Sequence, residues 1–76
     1  MGNRKEFEVE IIVNELPLTS LDYLKKNYPS NKILEVARIK DDKNKLTYEA
    51  EIRKKGKNFD IIFDASGKFT KIVDGQ

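Results

Sequence analysis

Any chemistry this sequence could perform rests on Ser20, Ser30 and Ser66 and on its carboxylates, because it contains neither histidine nor cysteine. Without histidine, the commonest general base, metal ligand and neutral-pH switch are all missing. A serine nucleophile needs a neighbouring base, and a carboxylate pair needs to be held close to act as acid and base. Ser20 falls in the first turn of a predicted helix, while Ser30 and Ser66 stand beside turn residues, where serine serves the backbone. Asp41, Asp42 and Asp64 offer oxygen ligands, but EF-hand spacing is absent and Lys43 and Lys68 stand close enough to oppose a cation. The sequence therefore predicts no enzyme, no catalytic residue, no metal and no cofactor.

The densest charge is the run Arg53-Lys54-Lys55-Gly56-Lys57. Clustered cations can hold a phosphate backbone nonspecifically. No aromatic residue interleaves this run to stack on bases, so it reads as a solvated hairpin loop whose lysines blunt the neighbouring strands. The whole chain carries 15 Lys+Arg against 13 Asp+Glu, a net +2. That near-balance argues against a nucleic-acid partner. No apolar run approaches the ~20 residues that cross a bilayer, so no membrane insertion is expected. Residues 1–5 carry basic side chains with no apolar stretch after them, and they read as a leader without a signal peptide.

The elements that would position these groups follow from periodicity. Residues 6–13 alternate, with Phe7, Val9, Ile11 and Val13 against Glu6, Glu8 and Glu10, as a half-buried strand does. Ile12 is the one apolar side chain on the charged face. Leu16-Pro17 then opens a helix over 17–27, with Leu18, Leu21, Leu24 and Tyr28 as its apolar stripe and Tyr23 off it. Tyr28-Pro29 closes it. Residues 32–40 form a strand with apolar residues on both faces, which fits either a central or a bulged strand. A meander of strands over 46–53, 59–64 and 68–73 follows. Tyr48, Ala50, Ile52, Phe59, Ile61 and Phe63 point inward in it, and Asp64-Ala65-Ser66-Gly67 makes its second turn. Seventy-six residues make one small domain, assigned to 6–74 with 75–76 as a tail. The fold class is α+β: one helix on one face of a four- to five-stranded antiparallel sheet, in the order β-α-β-β-β-β.

These pieces, in this order, resemble the PepSY-like domain, also described as β-lactamase-inhibitor-protein-like. The similarity rests on Leu16-Pro17 before the helix, Tyr28-Pro29 after it and Ile33 starting a strand. It continues in Tyr48-Glu49-Ala50-Glu51-Ile52 and in Ile62-Phe63-Asp64-Ala65-Ser66-Gly67-Lys68, so that it covers 16–73. Ala50 stands where the family favours valine, and one repeat is present where relatives often have two. The resemblance implies a small exported protein, periplasmic or secreted, that binds or inhibits other proteins and has no catalytic motif.

The face of the sheet turned away from the helix should carry Glu8, Glu10, Ile12, Glu49, Glu51, Arg53, Asp60, Ile62, Thr70 and Ile72. Its charges are expected to pair Glu with Lys or Arg across strands, each pair of modest worth. Ile12, Ile62 and Ile72 interrupt them, and apolar residues gathered on one face mark a partner surface. The expected function is therefore a protein-binding module using this face. Its centre would be Ile62 and Ile72, rimmed by Glu49, Glu51 and Arg53, with Ile12 nearby. Self-association through the same face is a further option. The alternative is a scaffold domain, one repeat of a tandem or an idealised version of it, with no binding activity of its own.

Overall fold

The computed structural model describes residues 5–75. Five strands form one antiparallel sheet in sequence order: β1 (Glu6–Ile11), β2 (Lys32–Asp41), β3 (Leu46–Lys54), β4 (Lys57–Phe63) and β5 (Phe69–Asp74). The helix α1 (Leu18–Asn27) lies between β1 and β2 in sequence, preceded by a 3-10 turn at Val13–Glu15. This is the α+β architecture expected. Of the leader expected over 1–5, residues 1–4 lie outside the described residues.

One face of the sheet holds the core. Val36, Ala50, Ile52, Ile61 and Phe63 are buried there under Leu16 and Leu24. Register explains the layering: Val36 pairs with Ala50, Ala50 with Ile61, and Ile52 with Phe59, so inward residues meet across three central strands. Burying each of the larger side chains among these contributes about 1.5–3 kcal/mol.

The helix is seated by a small-residue contact. Ser20 is fully buried, and its hydroxyl donates to the Gly67 carbonyl at 2.8 Å. Gly67 adopts φ +93°, and a Cβ there would meet Pro17 Cβ at 2.6 Å. Helix and β4–β5 turn can touch only because both residues are small. This contact sets the rotation of the helix, and two expectations change with it. Leu18 is turned out and 77% exposed. Tyr23 instead packs inward, stacked on Phe69 at 4.8 Å between ring centroids and edge-on to Phe63 at 5.8 Å. A leucine stripe read from spacing alone misses this, since the closest approach belongs to serine.

Two irregularities settle the faces of β2 and β5. Ile33 pairs with Ile52 and Glu35 with Glu51, so Leu34 is an extra, bulged residue and the apolar residues of β2 fall on both faces. In β5, Ile62 pairs with Lys71 and Phe63 with Phe69, leaving Thr70 as the extra residue. The Thr70 hydroxyl donates to the Ile62 carbonyl at 3.0 Å. Past this bulge the side-chain phase of β5 is inverted.

Candidate functional site: the open face of the sheet

The register lays out the uncovered face as rows crossing the strands. One row reads Glu10, Ala37, Glu49, Ile62, Lys71 from β1 to β5. The next reads Glu35, Glu51, Asp60, Val73. Glu8 faces Ile39, which faces Thr47, on the other side. Three carboxylates thus stand side by side on β2, β3 and β4, with Glu49, Glu8 and Glu10 beside them. Like charges directly opposite one another destabilise a sheet.

The carboxyl groups respond to this crowding. Glu49 is pushed up to about 7, first by burial and then by Asp60, Glu8, Glu35 and Glu51. Glu35 is raised chiefly by the charge of Glu10. Asp60 is raised by burial, then by Glu51 and Glu8. Burial and repulsion favour the neutral acid, and every charge acting on Glu49 here is another carboxylate. The one side-chain hydrogen bond to the ladder among the described residues comes from the Asn58 amide, which donates to Glu51 Oε2 at 3.2 Å.

Beside the ladder the surface dips into a concavity of about 540 Å³. Ile39, Ile62 and Val73 are its apolar lining, and Glu49, Asp60, Lys45 and Lys71 are among the polar residues of its wall. Ile62 is half-buried at the centre.

Of the six residues singled out from sequence, four share this face. Glu49, Glu51, Arg53 and Ile62 lie on β3 and β4 with the expected orientation, Arg53 opposite Asn58 beyond the acid ladder. Ile72 does not join them. It pairs with the buried Ile61 and projects to the helix side, 44% exposed, because the Thr70 bulge inverts β5; Val73 takes its place on the open face. Ile12 also falls away, since β1 ends at Ile11. It is 67% exposed in the connection to the helix, where its N–H donates to Glu15 Oε1 at 3.1 Å.

The expected Glu–Lys/Arg pairing is replaced by the like-charge ladder. Glu35, Ala37, Ile39, Lys71 and Val73 are residues that sequence reasoning did not place here. Period two locates Glu49, Glu51 and Asp60, but only the β2 bulge and the pairing register bring Glu35 against them.

Two of the three serines, Ser20 and Ser66, are occupied elsewhere. Ser20 is buried against Gly67. Ser66 donates its hydroxyl proton to Asp64 Oδ1 at 2.7 Å. Asp64 Oδ1 also accepts from the Ser66 and Lys68 N–H groups, and these hydrogen bonds hold its carboxyl below the usual range. A carboxylate so stabilised is a weak base. Asp41 Oδ1 caps the β2–β3 turn in the same manner, accepting from the N–H groups of Lys43 and Lys45 at 2.8 Å each. Among the described residues no group of three or more acidic side chains is arranged to hold a metal ion. The ladder is spread over neighbouring strands ~5 Å apart rather than converging on a point. No described helix is long and apolar enough to cross a membrane.

No protein-family model matches the chain, and no curated protein matches it.

Proposed function

We propose that this domain is a non-enzymatic protein-binding module whose contact surface is the open face of the sheet. The observation that carries the reading is the pairing of Glu35, Glu51 and Asp60 in one row beside the half-buried Ile62. A solvated face without a partner would be more stable with opposite charges across its strands. An apolar centre rimmed by uncompensated charge has the anatomy of an interface. The resemblance to PepSY-like, inhibitor-like domains supports the same reading, and with it a periplasmic or secreted setting.

The test is capture from a cell-envelope fraction by the immobilised wild-type domain, with Ile62→Lys and Leu18→Lys in parallel. Captured proteins are then purified and titrated back. Loss of binding in Ile62→Lys alone supports the open face. Loss in Leu18→Lys with Ile62→Lys unaffected moves the contact to the helix side and defeats the proposal.

The scaffold alternative draws on a different feature. β1 and β5 are the outermost strands, and unpaired edges are where tandem copies join. Sedimentation over a concentration series separates the two, because edge pairing assembles the domain with no partner present.

A further inference from the structure

The chemistry of the open face also specifies the kind of partner, on the reading that this face is where binding occurs. We infer that it receives a cationic amphipathic helix of another protein, with an apolar stripe set over Ile39, Ile62 and Val73 and Lys or Arg side chains over Glu35, Glu49, Glu51 and Asp60.

Three observations select this occupant. The first is charge: six carboxylates, from Glu8, Glu10, Glu35, Glu49, Glu51 and Asp60, gather on one face of a chain whose net charge is +2. Of the cations, Arg53 and Lys71 lie on this face and Lys45 borders its concavity, so carboxylates outnumber them there, and others lie elsewhere. Arg38 and Lys40 pair with Tyr48 and Leu46 on the helix side, and Lys25 and Lys26 end the helix. A phosphate backbone would be repelled from such a surface, and a cationic chain would be steered to it.

The second is the backbone. The central strands β2, β3 and β4 are paired on both sides, so the middle of this face offers side chains rather than a free strand edge. A partner docking on it must already satisfy its own main chain, as a helix does and an extended segment does not.

The third is size. Five strands at ~4.8 Å spacing span roughly 20 Å across the sheet, the length of about 13 helical residues. A helix ~10 Å wide rests on the concavity with its flanks over the ladder. The area covered is a few hundred Å² per partner, small for a permanent complex and suited to a transient, salt-sensitive one. A second copy of the chain set face to face would oppose one acid ladder to another, which disfavours an isologous dimer here.

The elevated proton affinity of Glu49 fits this arrangement. Burial and its four carboxylate neighbours hold it protonated up to about pH 7, and an arriving lysine or arginine relieves that repulsion.

The experiment titrates the isotope-labelled full chain at pH 7.5 with three synthetic 14-residue peptides and follows backbone amide shifts. One is an amphipathic Leu/Lys helix, one its Leu/Glu counterpart, and one plain oligolysine. The Leu/Lys helix is expected to shift Glu35, Glu51, Asp60 and Ile62. Its binding should weaken at least tenfold between 50 and 300 mM salt, and at least tenfold in Glu51→Lys, whose fold is checked by its own spectrum. Oligolysine should bind at least tenfold more weakly. Equal binding by oligolysine, or Leu/Lys shifts confined to the helix side, overturns the inference. Open-face binding of the Leu/Glu peptide overturns the cationic partner but leaves the binding face standing. No open-face shift with any peptide ends both. Dimerisation through this face at the titration concentration would overturn the inference in favour of a second copy.

Discussion

Ile62 and Phe63 are neighbours in sequence, yet they belong to opposite sides of the sheet and to different kinds of surface. Phe63 is fully buried beneath the helix, edge-on to Tyr23. Ile62 sits half-buried between Glu49 and Lys71, beside a row of carboxylates that repel one another. The helix side is arranged as a stable fold requires: matched volumes, a buried serine with its acceptor, and a glycine where only glycine fits. The open side spends stability instead of adding to it. Charges that a single lysine could have compensated are set beside their like. Functional surfaces commonly carry such a cost, because the groups that bind a partner are unsatisfied without it.

The comparison can be broken most forcefully at Ile62 and Phe63 themselves. Phe63→Ala should cost about 3–5 kcal/mol by denaturant unfolding, whereas Ile62→Ala should cost no more than about 1 kcal/mol. Similar losses would show that the open face is as much part of the core as the other.

Glycine gives the next contrast. Gly67→Ala meets Pro17 and Ser20 at φ +93° and should lose about 2–4 kcal/mol. Gly56 also has positive φ, at +78°, but has nothing within 4 Å of an added Cβ, so Gly56→Ala should lose only about 1 kcal/mol. Equal losses would mean that backbone strain alone, and no close approach of the helix, governs Gly67.

The pH dependence separates the faces further. Glu49 rises from 4.5 unfolded to about 7 folded, so the native state binds more protons between those values. Stability should therefore fall as pH rises through that window, by roughly 1–2 kcal/mol once solvent screening is allowed for. Glu49→Gln should flatten this slope and leave stability at pH 7.5 equal to or above that of the wild type. Asp64 works in the opposite sense. Its folded value lies below 3.8, so its contribution is present above that pH and is lost as acid titrates through the folded value. Denaturation curves from pH 3 to 8 should peak near pH 5, and a continuous rise up to pH 8 would contradict the repulsion.

Much of this fold is legible in the sequence because strand periodicity survives small errors. The alternation of 46–53 and of 59–63 places every core residue of β3 and β4, and Leu16-Pro17 with Tyr28-Pro29 brackets the helix. What escapes is phase and register. The Thr70 bulge inverts β5 and moves Ile72 to the helix side, yet no residue type at that position announces a bulge. Helix rotation was hidden for a related reason: leucines dominate the spacing, while the tightest contact is made by Ser20. The candidate site was half legible. Glu49, Glu51 and Ile62 follow from period two, but the acid ladder depends on which residue faces which, and pairing of Glu35 with Glu51 across a bulge is a long-range fact.

The most direct measurement is made on one variant, Glu35→Gln/Glu51→Gln/Asp60→Asn, read twice at pH 7.5. If the open face carries its charge for a partner, this variant should be more resistant to denaturant than wild type and should bind the Leu/Lys helix at least tenfold more weakly. A variant that is less stable, or one that binds the peptide undiminished, would contradict the division of labour between the two faces.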